Sequence, residues 1–426
     1  MTTTFPPMER ARLAVLTLAL ACAGCMSGPV SGPPLRLVSE TAPSTPDDVL
    51  PWWKDAGDPL LAQLIEQGLA HDPVLICQAF DLSKSDEKAH PPGLRHRLSR
   101  LIAQGEDETA HRARAYGYAD ARNALAERIA LAYVEARRWQ ERLAVRVKAT
   151  DPLRDNGEIA HFRKEAGLVP AMDGDMADVM TGLDSASVEA ARNRLNDSVA
   201  ALAKLAHMLP EDLRKQLGNE GHLPTFTAKP ANDRSHRADL RALELKLTGE
   251  LTRHKVDQNA IDAVAHAPEG TPPEGTPTAP LAAATPKPAD PVKPGGKKPV
   301  GPTADARAQD AVGAWRAAQI RADAEISEAS AALGTITLRL APLARAEATA
   351  TRTVTDARLA YRGGTETFSM LYVAEAAVLA AQEGQIDARA AAAAAAIRLW
   401  SAQGLGWHDA DLAPAPTDGV TVCGQP

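Results

Sequence analysis

Between Thr303 and Arg362 only Gly313, Gly334 and Pro342 interrupt a run of residues with helical character. About sixty residues rising 1.5 Å each make a rod of roughly 90 Å. Within it Ile326, Ala329, Leu333, Ile336, Leu340 and Leu343 recur at alternating spacings of three and four, the seam along which one helix packs on another. Pro342 should kink that helix or end a turn of it. Leu125, Ile129, Ala132, Ala136, Trp139 and Leu143 carry the same spacing, as do Val188, Ala191, Leu195, Ser198, Leu202, Leu205 and Leu209. An ordinary helical bundle would share these heptads; the length of the run favours rods. No segment alternates apolar and polar residues for long enough to be a convincing strand. The expected fold is mainly α, built from long antiparallel coiled-coil helices.

Local signals agree. At Asp58-Pro59 a capping residue precedes a proline at the first helical position, and Leu60, Leu61, Leu64, Ile65 and Leu69 follow on one face. Asp72-Pro73 should interrupt that helix. Only 4% of the chain is aromatic, so burial must come from alanine and leucine, the material of close helix packing. Ala390–Ala396 reads as one such packing face rather than a cofactor site.

The chain also repeats itself. "HFRKEAGLVPAMDGDM" (161–176) has a partner in "AYRGGTETFSML" (360–371), and a shift of 197 carries Gly167 onto Gly364, Leu202 onto Leu399 and Met208 onto Leu405. "HDPVLICQA" at His71 and "RADLRALE" at Arg237 open the two halves. Pro73 lies 94 residues before Gly167, whereas Ala238 lies 126 before Gly364. The excess of 32 residues nearly equals the Thr271–Pro302 stretch, which contains ten prolines. That stretch therefore sits inside the second repeat, where prolines cannot supply the backbone donors of a strand.

The first residues read as an export signal: Arg10 and Arg12, then the apolar run Leu13–Ala21, too short to span a bilayer as a helix. "ACAGC" can be cut in two ways. Ala21-Cys22-Ala23 suits ordinary secretion, while Ala23-Gly24-Cys25 suits a bacterial lipobox with Cys25 as the lipid-bearing residue, although Cys22 stands where a lipobox usually has leucine. The Pro/Ser/Gly-rich tether that follows favours lipidation at Cys25. The expected organisation is a signal peptide (1–24), a tether (25–50), a first helical repeat (51–220), a second (221–413) with a Pro-rich insert (268–302), and a tail (414–426). Cys77 and Cys423 remain, and a disulfide between them is open to the chain in an oxidising compartment. The net charge of −7 offers no phosphate-binding surface, which argues against nucleic acid as a partner.

Taken together, several segments resemble one family. "PWWKDAGDPLLAQLIEQGLAHDPVL" (51–75) looks like the opening of TolC-like outer-membrane efflux factors, in the lipoprotein branch that serves RND pumps. "RADLRALE" (237–244) resembles that family's R-P-D-[IL]-R-A-A-E, with Ala238 in place of its proline. "EAGLVPAMDGDMA" (165–177) and "AYRGGTETFSMLYVAEAAVL" (360–379) resemble its paired helix-tip segments, and "GLGW" (404–407) its terminal L-G-G-G-W. The resemblance implies a homotrimer of TolC-like helical-barrel subunits, lipid-anchored in the outer membrane and facing the periplasm. It also implies two partners, a periplasmic adaptor protein and an inner-membrane RND pump, met at the tips through Gly167, Leu168, Gly363 and Gly364. The family sets a strand hairpin in each half. Here 82–122 is charged and interrupted by Pro91-Pro92, and the second position holds the Pro-rich insert. Barrel strands, which need 9–11 alternating residues and aromatic girdles, are expected to be degraded or absent.

Family channels narrow at a ring of tip carboxylates, which attracts cations. Asp173 matches that aspartate, and Val373, two residues before Glu375, takes the corresponding place in the second repeat. The bland reading of Asp173 is a carboxylate favoured at a helix start. Asp173, Asp175, Asp178 and Asp184 fail as a calcium loop at Ala177 and Asp178. The histidines, His207 and His254 included, have no ligand spacing, so no metal or cofactor is expected. No nucleophile elbow, HExxH helix, P-loop or dinucleotide turn is present, and an enzyme is not expected. Trp52 and Trp53 should pack the amino-terminal segment onto the helices, with an interfacial membrane role as the alternative. Two functions fit: an efflux conduit, or a lipid-anchored periplasmic coiled-coil scaffold without channel activity.

Overall fold

The computed structural model describes residues 51–54, 56–89, 94–226, 233–254, 304–407 and Cys423. Cys25, segments 1–24 and 25–50, the 268–302 insert and the 414–426 tail apart from Cys423 lie outside those residues. Every regular element among them is a helix: α1 Pro59–His71, α2 Pro73–Ala89, α3 Leu94–Glu165, α4 Ala171–Leu205, α5 Pro210–Leu217, α6 Ala238–His254, α7 Ala304–Arg362 and α8 Phe368–Ala402. At 72 residues α3 is about 108 Å long, and α7 at 59 about 88 Å. None of the described helices is long and apolar enough to cross a membrane.

The helix starts follow from their caps. The Asp58 carboxylate accepts from the backbone N–H of Leu60 and Leu61, both at 3.1 Å, ahead of Pro59. Asp72 does the same for Val74 and Leu75, both at 3.0 Å, so the chain stops α1 and restarts as α2 within one residue. Pro342 does not end α7, which continues past it, as α3 continues past Pro152. Each proline removes one backbone donor, and the half-buried Leu340 and Leu343 on either side of Pro342 keep α7 seated. The charged 82–122 region is helical where it is described, in α2 and α3.

The heptads mark real seams. Leu125, Ile129, Ala136, Ala191, Ser198, Leu202, Ile326 and Ala329 are buried, while Leu209 leaves its seam and lies 60% exposed ahead of α5. α4 packs mainly on α3 and α7 mainly on α8, and α3 lies against α8, which gives a four-helix layer in the order α4, α3, α8, α7. α1, α2 and α6 pack on α3. There Leu61, Leu64 and Ile65 meet Ile129, Tyr133 and Leu202 in the main core. Trp52 stacks on Trp400 at 5.6 Å between centroids and meets Trp53 edge-on. Both tryptophans are buried, which bears out the packing role.

The α3–α8 contact is laced by charge. Arg138, Arg142 and Arg146, one turn apart on α3, reach Asp387 and Glu383, one turn apart on α8, at 2.5–2.7 Å. Arg138 and Arg142 also sit 5.3 and 5.0 Å from the Trp139 ring. Burial works against the Asp387 charge, but the two arginines outweigh it and hold its pKa below the usual carboxylate range. The spacing of four on both helices fixes their register, so this ladder sets the first repeat against the second.

The repeat is exact in register. α4 and α8 are both 35 residues long, and α8 starts and ends 197 residues after α4 does, 368 against 171 and 402 against 205. Leu202 and Leu399 are both fully buried. Each of these helices also ends against the start of a short one. His207 at the end of α4 lies 3.8 Å from Asp72 before α2, and Arg237 before α6 donates to the Ala402 carbonyl of α8 at 3.1 Å. These two splices sit where α4 and α8 end, beside Ile129 and Asn123 partway along α3; the turns that join α3 to α4 and α7 to α8 lie at the far end of these helices.

Candidate functional site

The two turns at the tip are built alike. α3 closes with Gly167 N–H donating to Lys164 O at 3.0 Å and Leu168 N–H to Arg163 O at 2.8 Å; α7 closes with Gly364 to Tyr361 and Thr365 to Ala360, both at 3.0 Å. This reciprocal closure needs a left-handed residue after the helix, and Gly167 (φ 70°) and Gly364 (φ 77°) supply it.

The turns are cross-braced beneath. Ala160, Ala177, Tyr361, Phe368 and Leu371 form a small buried cluster, in which the Tyr361 and Phe368 rings meet edge to face at 5.8 Å. Arg163 covers the Tyr361 ring at 4.7 Å and donates to the Arg362 carbonyl at 3.1 Å, placing a cation at the negative end of α7. Burial raises the Tyr361 pKa, Arg163 opposes that and Asp173 adds to it. Deeper still, Glu375 of α8 is buried and accepts from Arg358 of α7 at 2.6 and 2.7 Å and from Asn156 of α3 at 3.4 Å. One carboxylate therefore ties three helices. Those hydrogen bonds raise the Arg358 pKa above its ordinary value against the pull of burial.

The sequence-derived tip residues come together here. Gly167, Leu168, Gly363 and Gly364 lie in the two turns, and Leu168 is 74% exposed. Asp173 is half-buried in the first turn of α4, behind Pro170, which offers no side-chain cap. Its counterpart needs correction: the register of 197 sets Met370, not Val373, opposite Asp173, and Glu375 opposite Asp178. The neighbouring carboxylates disperse rather than converge. Asp175 pairs with Lys164 at 2.7 Å, Asp178 with His161 at 2.9 Å, and Asp184 accepts from Thr150 at 2.9 Å.

Sequence reasoning missed the apolar rim of the tip. Phe162 (68%), Met172 (69%), Met370 (56%) and Val373 (61%) join Leu168 in exposure. A gathering of exposed apolar side chains at one end of a rod is the mark of an interaction surface. The signal was available for Phe162 and Met172, which fall off the heptad seams of α3 and α4 when those are extended to the tip; α8, which carries Met370 and Val373, had no assigned seam. The Arg358–Glu375 brace carried only a faint signal, a charged pair on either side of a Gly-Gly turn.

No family model and no curated protein matches the sequence. Solved structures do match. The outer-membrane channel OprN is similar with a TM-score of 0.64 at 18% identity, over 85% of this chain and 95% of that one. The outer-membrane protein VceC of Vibrio cholerae gives 0.62 at 18% identity, over 83% and 98%. The CmeC outer-membrane channel of Campylobacter jejuni gives 0.61 at 13% identity, over 87% and 92%. At these identities the likeness is one of fold: the chain has the helical architecture of TolC-like outer-membrane channels, without strands among its described residues.

Proposed function

We propose that this chain is the outer-membrane component of a tripartite RND-type efflux system, a homotrimeric conduit with no chemistry of its own. The observation that carries the reading is the four-helix layer with open edges. α7 is seated along one narrow stripe, while Leu338 (80%) and Leu359 (67%) stay exposed, and Val179 and Leu183 of α4 are likewise exposed. A layer with two different edges associates head to tail, and such contacts close into a ring when the curvature fits. In this reading the tips meet a periplasmic adaptor through Leu168 and the glycine turns, Asp173 narrows the pore, and Cys25 carries the lipid that holds the ring to the outer membrane.

The second reading, a lipid-anchored scaffold without channel activity, is favoured by the helices that occupy 82–122, where the family sets a strand hairpin. Planar-bilayer recording of the detergent-extracted protein, with its mass in solution, separates the two. A conducting trimer is expected, and Asp173→Asn should lower its preference for cations. A monomer, or a trimer with no conductance, would sink the conduit.

The tip contact has its own test. Leu168→Asp changes an exposed side chain, so stability should move by no more than about 0.5 kcal/mol. Cross-linking to the adaptor and export should nevertheless fall together. Unchanged export with unchanged cross-linking would remove Leu168 from the contact.

A further inference from the structure

Five methionines fall among the described residues, and four of them gather at the tip: Met172, Met176 and Met180 one turn apart on α4, and Met370 in the first turn of α8. The fifth, Met208, lies just beyond the end of α4, half-buried against the main core. None of the five is buried, although leucine fills the seams of this molecule throughout. We propose that Met172 and Met370 are a reversible oxidation site, converted to sulfoxides by two-electron oxidants and thereby barring the tip from its adaptor. The proposal deepens the tip-contact reading and rests on it.

Exposure sets the order of attack. Met172 and Met370 are 69% and 56% exposed, so an oxidant meets their sulfur on the undocked tip without any unfolding. Met176 is half-buried where it packs on the cluster of Ala160, Tyr361 and Phe368, and Met208 is shielded by the core it rests on. Thiols would ordinarily react first, but Cys77 and Cys423 are joined to each other and offer none.

The setting gives the reaction its consequence. Both side chains stand in the apolar rim with Phe162, Leu168 and Val373, where leucine would match them in size and resist oxidation. With hypochlorous acid, the sulfur lone pair takes the chlorine as hydroxide departs. Water then forms the S–O bond, chloride leaves with the S–Cl electron pair, and two protons are released. Sulfur has lost two electrons and chlorine has gained them. The product is a polar side chain in place of a flexible apolar one, and its oxygen must shed water before the rim can be covered. Methionine sulfoxide reductases, one for each epimer, restore the thioether with a dithiol as reductant and water as the other product.

The test treats the full-length protein in nonionic detergent with stoichiometric hypochlorous acid and maps each sulfoxide by peptide mass. Met172 and Met370 should oxidise about tenfold faster than Met208, with helical circular dichroism unchanged. Cross-linking to the purified periplasmic adaptor of the same cell should then fall about tenfold, and treatment with the two reductases should restore it. Met172→Leu/Met370→Leu should cross-link as the unoxidised protein does, before and after oxidant. Met172→Gln/Met370→Gln, which sets polar groups there without any oxidant, should cross-link as weakly as the sulfoxide form. A sulfoxide at Met208 ahead of the tip, undiminished cross-linking of the sulfoxide form, or an equal loss in the leucine variant would each overturn the switch and leave the docking surface in place. No cross-linking before oxidation would strike the docking reading itself, and the switch with it.

Discussion

Gly404→Ala should lower stability by about 4 kcal/mol and loosen the splice where α8 meets α6. Gly404 has φ 77°, a region that costs an alanine about 1–2 kcal/mol. A Cβ there would lie 2.5 Å from the His236 carbonyl oxygen, 2.6 Å from its carbon and 2.7 Å from the Arg237 Cα. These are backbone atoms, which cannot swing aside, so a packing cost of about 1–3 kcal/mol adds to the conformational one. The control is Gly167→Ala at the tip, with nearly the same φ of 70° and nothing within 4 Å of its Cβ; it should lose only about 1–2 kcal/mol. Denaturant midpoints followed by helical circular dichroism compare the two, and faster hydrogen exchange in α6 is expected for Gly404→Ala alone. Equal losses would mean that the close approach of His236 carries no cost. The first repeat supports the distinction, because its corresponding position is His207, at φ 52° with a side chain in place.

Cys423→Ser should lower stability by about 3 kcal/mol. Cys77 on α2 and Cys423 are joined by a disulfide, with Cα atoms 5.4 Å apart, a separation typical of native bridges. The bond joins positions 346 residues apart in sequence, and constraint of the unfolded chain grows with the size of the closed loop. Cys77→Ser should cost the same, and the double variant no more than either single one, because one bond is lost in all three. Additive losses would show two separate packing roles instead. Alkylation mapping without reductant should leave both thiols unmodified; labelling at either would sink the bridge.

The long helices were legible because a heptad declares itself within one segment, and Asp58 and Asp72 are caps that act within three residues of themselves. The repeat was legible for a related reason: Gly167 and Gly364 must both turn left-handed, so each half carries the same punctuation. What the heptads could not say is which helix each seam meets. Arg138, Arg142 and Arg146 look like a solvated face until α8 is laid beside them. Glu375 looks like any surface acid until Arg358 and Asn156 close over it. The Val373 assignment does not survive the backbone register, which pairs Asp173 with Met370. Pro342 does not stop α7, because contacts along the whole helix outweigh the one backbone donor it removes.

The splices distribute mechanical compliance unevenly along the molecule. α3 and α7 carry load as continuous helices, with one backbone donor lost at Pro152 and one at Pro342, whereas the legs beside them are joined end to end by non-covalent contacts such as Arg237 on Ala402 and His207 on Asp72. A slender beam bends where its stiffness drops, and both drops fall at the same height, where α4 and α8 end. Flexing of this molecule therefore concentrates in one transverse band, leaving the tip half to swing as a nearly stiff lever whose small angular changes become large displacements at its far end.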